Sequence, residues 1–467
     1  MLHRTADAGA ATRAAGDRRL QILIATGYER SSCNSGLIVA NLLARRGHVV
    51  RFIAVEDAET RRHVEANGFE YVGVGQERTT RDEWLQAARP LALLRREWTW
   101  FERLRSDLDK GIARASADLL FMNLHVSKAA AGVAARAGIP TIALLSNYGS
   151  RFDVRWPPVF SSRPARSDSL WSRGLNLLAW AHAWRARRLS PLLRWRRLPE
   201  LVCLRLIEAR ERRRAIAHGW RYCYSEWGPR PDLPEVVIGH KALDWPALHR
   251  SDRFYLSGSQ SLSRRDPDLG WAEGLDDRPI AYSCTSTTYG QNVFTVDGSE
   301  RLVRWAQHIK RFLDALVEAF ARRRDWQLVV ACGVFAPMVA RDPSPENVRV
   351  LRRVPQLDVL ARATVGIVQA GSAALRECAY FGVPMLTFAI GGDQLGNAAR
   401  VEFHRIGRFF DHRRVGAPEL IRMIDALATD SEVRSTVRSL SEMCRRQAVH
   451  EEAAFAEFVA RHTSIAV

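Results

Sequence analysis

Residues 355–398 read PQLDVLARATVGIVQAGSAALRECAYFGVPMLTFAIGGDQLGNA, and this stretch constrains the fold more than any other. The apolar run Val365 to Val368 ends in the small-residue turn Gln369-Ala370-Gly371-Ser372, and a helix-length segment carrying Glu377 follows. Gly382-Val383-Pro384 then leads into a second apolar run, Met385 to Ala389, which ends at Gly391-Gly392-Asp393-Gln394. Two short apolar strands separated by a helix predict a βαβ unit of a buried parallel sheet. Such a unit places a strand, a small-residue turn and a helix N-terminus in series. Unpaired backbone N–H groups and the helix dipole there face an incoming anion. In nucleotide-binding units of this kind an acidic residue takes the ribose hydroxyls, and Glu377 is placed for that. Asp393-Gln394, an acceptor beside an amide, is the sort of pair that reads sugar hydroxyls. The residue types together predict a nucleotide-sugar site.

The same residues resemble the donor-binding signature of family 1, GT-B-type glycosyltransferases, which include the UDP-glycosyltransferases and bacterial natural-product glycosyltransferases. Pro355-Gln356, Glu377, Gly382-Val383-Pro384 and Asp393-Gln394-Leu395-Gly396-Asn397-Ala398 match the pattern at its spacing. Two positions depart from it. Gln369 stands where the family has a diphosphate-contacting histidine, and Ala370 where it has a glycine. Gln369 still donates a hydrogen bond but never carries positive charge. The family's hydroxyl residue falls on Ala374, with Ser372 nearby as a substitute. The resemblance implies donor-binding roles for Gln356, Gln369, Gly371, Ser372, Glu377, Asp393 and Gln394. It adds Ser283 and Thr285, in the Ser/Thr-rich stretch 283–288 at the end of the second domain's first strand, which is expected to cap the diphosphate.

Elsewhere strand-like and helix-like segments alternate, as in an open parallel sheet covered on both faces. Leu20 to Ala25 reads as a first strand, Thr26 to Asn34 as a polar turn, and Gly36 to Arg46 as a helix closed by Gly47. Strands follow at 48–54, 118–122 and 140–145, and a second series at 278–283, 326–332 and 348–351. The expected fold class is α/β, two Rossmann-like domains facing a cleft. Its divisions are a disordered leader (1–18), an N-terminal acceptor-binding domain (19–250), a linker (251–277), and a nucleotide-sugar domain (278–440). A C-terminal helix (441–467) is expected, by resemblance, to return to the first domain.

Catalysis departs most from the family. The resemblance puts the general-base histidine at Ser32 and the aspartate that orients it at Asn123. Neither serine nor asparagine takes up a proton near neutral pH. The candidates that can are Glu29, in the first loop, and His125, just past a strand end. An acidic acceptor lessens the need for a strong base, because stabilising the leaving diphosphate then carries more of the rate. No metal and no cofactor is expected, the nucleotide-sugar being a co-substrate. Asp107-Leu108-Asp109 and Asp266-Pro267-Asp268 lie in a charged helical stretch and in the linker, not at a strand end.

Composition bounds the rest. The chain has 467 residues, 47% of them hydrophobic, too many for one ordinary core. Its seven scattered cysteines include no CxxC, which points to reduced thiols in a cytoplasmic protein. Net charge is +18, concentrated between Ser161 and Trp220, where fourteen arginines face four acidic residues. Eight of the fourteen tryptophans lie between Trp156 and Trp245. Two readings of this segment stay open: a packed subdomain with a solvated basic face, or peripheral contact with a membrane or lipid acceptor. No nucleic-acid motif accompanies the charge, so nucleic acid is not expected as a partner. The expected function is metal-independent hexosyl transfer from a UDP- or dTDP-type donor to a small, apolar natural-product or lipid acceptor. Competing readings are a glycosyltransferase-like helper protein that has lost its base, and a UDP-sugar epimerase on the same scaffold.

Overall fold

The structure, a computed structural model, describes residues 18–27, 30–75, 90–123, 128–149, 151–163, 169–193, 198–257, 270–285, 300–340 and 343–467. Glu29, His125, Asp266-Pro267-Asp268 and nearly all of the expected leader lie outside the described residues.

Among the described residues the first half holds nine strands: β1 (Gln21–Ala25), β2 (Val49–Val55), β3 (Glu70–Val74), β4 (Leu119–Asn123), β5 (Thr141–Leu145), β6 (Tyr222–Ser225), β7 (Gly228–Pro231), β8 (Glu235–Ile238) and β9 (Arg253–Leu256). Seven of them form a sheet in the order β3-β2-β1-β4-β5-β8-β9, every pair parallel, while β6 and β7 form a separate antiparallel hairpin. All residues of β4 and β5 are buried, as their unbroken apolar runs require in a sheet covered on both faces. The second half supplies β10 (Ile280–Cys284), β11 (Gln327–Ala331), β12 (Val348–Leu351), β13 (Ala363–Val368), β14 (Met385–Thr387) and β15 (Gly407–Phe409). These form a second parallel sheet in the order β12-β11-β10-β13-β14-β15. Strand order reverses between β1 and β4 in one sheet and between β10 and β13 in the other. Crevices for ligands open at the carboxyl ends of such strand pairs.

Two expectations are revised, and one of the two open readings gains ground. The first helix spans Arg30–Arg45, so the segment read as a turn to Asn34 is already helical and Ser32 sits buried in its first turn. Strand β9 falls inside the stretch read as linker and completes the first sheet. Its polar text misled because Arg253 is a buried charge, bonded to Glu235 (2.8 Å) and Asp244 (3.0 Å). The tryptophan-rich segment is in good part core. Trp156, Trp180 and Trp245 are among the largest fully buried side chains, and the Trp180 Nε1–H donates to the Trp156 carbonyl (2.9 Å). Burying one such ring removes about 200 Å² from water, on the order of 5 kcal/mol. Trp180 is therefore no membrane-inserting residue, and Trp195 lies outside the described residues.

The long last helix, Ser431–Thr463, ties the two halves together. Its Phe455, Phe458 and Val459 pack into the core of the first sheet, where Phe455 stacks on Phe121 of β4 at 6.0 Å. The Glu451 carboxylate accepts from the Ser257 backbone N–H just past β9.

Candidate functional site

The carboxyl end of β13 runs into Gln369, Ala370 and Gly371, and the next helix, Ser372–Phe381, begins with Gly371 as its cap. Gly371 has φ −66° and ψ 143°, a conformation open to any residue, and a Cβ placed there would meet nothing within 4 Å. The backbone at this helix start thus looks onto open space. Nothing in the protein itself demands a glycine here, whereas a ligand lying against the backbone would. Ala370 adopts a left-handed conformation (φ 54°) and is wholly buried. That accounts for the family's glycine at this position, and it costs an alanine roughly 1–2 kcal/mol. Asn397 stabilises the turn by donating from Nδ2 to the Ala370 carbonyl (2.9 Å) and to the Asp393 carboxylate (2.9 Å). The glycine of Gly-Val-Pro has its own reason. Gly382 ends the helix at φ 71°, its N–H turned back to the carbonyls of the last turn.

Glu377 lies on this helix, nearly buried and held from two sides. Gln356 Nε2 donates to Glu377 Oε2 (2.5 Å), and Arg376 approaches Oε1 at 3.5 Å. Gln356 is in turn fixed by Tyr282 of β10, whose hydroxyl donates to its Oε1 (2.9 Å). The Pro-Gln and Glu elements of the motif, separated in sequence, are thus one hydrogen-bonded unit. Asp393 immediately precedes the helix Gln394–Phe403 and makes no side-chain capping bond to it; burial raises its pKa while the Asn397 amide opposes the shift. Gln394 turns its Oε1 to the backbone N–H groups of Ile390 (2.7 Å) and Gly391 (3.1 Å), bracing the loop that carries Asp393.

Not every expected donor residue reaches the site. Ser283 is an interior residue of β10, paired with Val330 and Ile367 and wholly buried, so it is removed from the diphosphate-capping set. Thr285 is the first residue past the strand, and its N–H donates to Ala331 O (3.0 Å). The Ser372 hydroxyl donates across the cleft to the Ser146 carbonyl (2.6 Å), which occupies it in this arrangement. Ser146 also accepts at Oγ from Asn123 Nδ2 (3.0 Å) at the end of β4. A hydrogen-bonded path therefore runs from the position of the family's aspartate to the donor helix. Gln369 is buried directly ahead of the turn.

Two contacts between the domains had no signal in the sequence. Gly396, in the first turn of its helix, donates its N–H to Val159 O (2.9 Å), bringing segment 156–161 of the first domain onto the Asp393-Gln394 motif. Arg400, buried on the same helix, donates to Asp244 Oδ1 (2.7 and 3.1 Å) and to Tyr148 O (3.2 Å). Next to it, burial beside Arg376 lowers the His240 pKa to about 3, and burial lowers His404 to about 4, so both are neutral at the interface. Burial pushes the Cys284 thiol, near Glu377, up to about 12, so it supplies no nucleophile. Among the described residues no cluster of His, Cys, Asp and Glu is arranged to hold a metal ion. Asp107 accepts from Gly75 N (3.2 Å) and Asp109 pairs with Arg105 (3.3 Å).

Two parallel-sheet domains joined across a cleft, with a helix N-terminus and a braced glutamate on the second, define the GT-B class. Residues 341–465 match the family described as UDP-glucoronosyl and UDP-glucosyl transferase. That match lies within the second half of the chain, and the chain as a whole has the GT-B fold. NDP-glycosyltransferase YjiC of Bacillus subtilis (strain 168) is 25% identical over 224 residues, 48% of this chain and 52% of that protein. Oleandomycin glycosyltransferase of Streptomyces antibioticus is 29% identical over 154 residues, 32% of this chain and 36% of its own. The chain thus matches about half, or less, of the length of these curated relatives. In overall fold it is similar to the calicheamicin glycosyltransferase CalG4, with TM-score 0.62, 18% identity, and 96% and 99% of the two chains covered. It is also similar to glycosyltransferase VinC, solved with dTDP, with TM-score 0.58, 15% identity, and 94% and 99% covered.

Proposed function

We propose that this protein transfers a hexosyl group from a UDP- or dTDP-type nucleotide sugar to a small, largely apolar natural product or lipid, without a metal ion. The acceptor oxygen attacks the anomeric carbon, the bond from that carbon to the diphosphate oxygen breaks, and the nucleoside diphosphate leaves with the electron pair. The helix start at Gly371 and Ser372 receives the diphosphate, its dipole and free N–H groups stabilising the charge that develops there. Glu377 takes the ribose hydroxyls, Asp393 and Gln394 the sugar, and Gln369 and Thr285 flank the diphosphate. The acceptor proton goes to a base in the first domain, for which Glu29 and His125 are the candidates. Ser32 and Asn123, at the family's base positions, cannot fill that role.

The observation that carries this reading is the open space before Gly371. Gly371→Ala should leave folding intact, because the added methyl meets nothing. It should weaken UDP or dTDP binding about tenfold or more, because the methyl occupies the seat of the diphosphate. Calorimetric titration with UDP and dTDP, with a thermal melt as the folding control, checks both. Equal affinity in the variant overturns this seat. The missing base at Ser32 and Asn123 favours a second reading, a nucleotide-sugar-binding helper protein. Release of UDP from UDP-glucose, or its absence across acceptors, separates the two.

A further inference from the structure

Among its described side chains, the helix Leu170–Leu193 has two apolar faces, and one of them is exposed. Inward, Asn176 bonds to Val154 O (3.0 Å), Trp180 meets Phe152 edge to face at 5.3 Å, and Trp184 packs on it tilted at 5.0 Å. Outward, Leu170 is 84% exposed, Trp171 78%, Leu177 48% and Leu178 66%. Gly174, Ala181, His182 and Arg185 continue the same exposed stripe at helical spacing. A helix on a solvated surface normally turns polar side chains outward. Four large apolar side chains in two turns instead make a patch that calls for a partner.

We propose that this face docks on the surface of an anionic lipid bilayer. The charge of the segment that carries it identifies the occupant. From Ser161 to Trp220 fourteen arginines stand against four acidic residues, and Arg185 closes the apolar stripe itself. The adjoining helix Leu198–Ala217 repeats the combination, with Val202, Leu206 and Ile216 exposed beside Arg205 and Arg213. Leucine and tryptophan inserted shallowly, with guanidinium groups at the headgroups, is the arrangement of a helix lying in a membrane interface. An apolar stripe gives nothing to a phosphate backbone, and a basic rim does not suit a second copy of a chain of net charge +18. No described helix is long and apolar enough to cross a membrane. The docking is independent of the donor site, and it would bring the chain to acceptors dissolved in the lipid.

The test is co-sedimentation of the full chain with phosphatidylcholine vesicles, with and without phosphatidylglycerol, at low and high salt. Binding is expected to phosphatidylglycerol vesicles at low salt and to weaken as salt rises, since the attraction reaches only about a Debye length. Trp171→Ser with Leu178→Ser, both exposed, should cut vesicle binding roughly tenfold or more while the melting temperature and UDP affinity stay unchanged. Arg185→Glu should weaken binding to anionic vesicles. Protein that stays in the supernatant throughout overturns the proposal, as does unchanged binding by the double variant. A dimer in size-exclusion chromatography that the double variant dissociates, with no vesicle binding, would assign the face to self-association and overturn it as well.

Discussion

Replacing Arg400 by methionine is expected to destabilise the protein by about 3–5 kcal/mol, the cost of leaving a buried carboxylate without its principal partner. Arg400 and Asp244 are both buried, and the guanidinium lies over the rings of Trp245 (4.6 Å) and Tyr148 (5.3 Å). Asp244 keeps Arg253 (3.0 Å) and Tyr255 (2.8 Å) at its other oxygen, and at Oδ1 only the neutral Trp245 backbone N–H (2.9 Å), which brings no compensating charge. Burial alone would raise the Asp244 pKa; Arg400 and Arg253 outweigh it and hold it below its ordinary value. Denaturant titration measures the loss. A double variant, Arg400→Met with Asp244→Asn, should be less destabilised than the sum of the two singles, because it leaves no unpaired charge at Oδ1. Additive losses would show that the pair is not coupled.

The second large effect is expected at Gly396, where two rules predict opposite signs. Helix preference alone makes Gly396→Ala a gain of about 1 kcal/mol. The structure makes it a loss, because the new Cβ would lie 2.3 Å from Val159 O and 2.8 Å from Val159 C. These are backbone atoms, held from behind by the bond from Val159 N to the buried Glu226 carboxylate (3.3 Å), so no side chain can swing away. Forcing an extra methyl into such a contact costs about 1–3 kcal/mol. It also pushes segment 156–161 off the helix that carries Asp393 and Gln394, so release of UDP from UDP-glucose should fall while UDP itself binds as before. Denaturant titration beside that assay decides it, and a gain in stability would refute the contact.

The sequence made the second domain legible because its motif couples residue type to spacing. Gln356 and Glu377 meet, Asn397 reaches the turn at Ala370, and Gly382 ends the helix it follows in the motif. Ser283 was misplaced because a hydroxyl in a strand and a hydroxyl in the loop after it look alike in text; burial inside β10 separates them. The basic, aromatic region was harder still. Trp180 and Trp171 lie on one helix and differ only in which side they face, 0% against 78% exposed, and a tryptophan count is blind to side. Likewise nothing in the sequence local to Arg253 or Arg400 announces the buried acids Glu235 and Asp244 that pair with them. Contacts across the cleft join residues more than 200 positions apart, as from Ser146 to Ser372 and from Val159 to Gly396. Only the folded chain brings such pairs together.

Calorimetric titration of UDP and dTDP into the wild-type protein and into Glu377→Gln tests the central claim, that the second domain holds a nucleotide through Glu377. Saturable one-to-one binding is expected for the wild type. The variant should lose about 1–3 kcal/mol, a roughly 5- to 150-fold rise in Kd, as a charge-assisted hydrogen bond to the ribose is replaced by a neutral one. Absence of binding by the wild type, or an unchanged Kd in the variant, would contradict it.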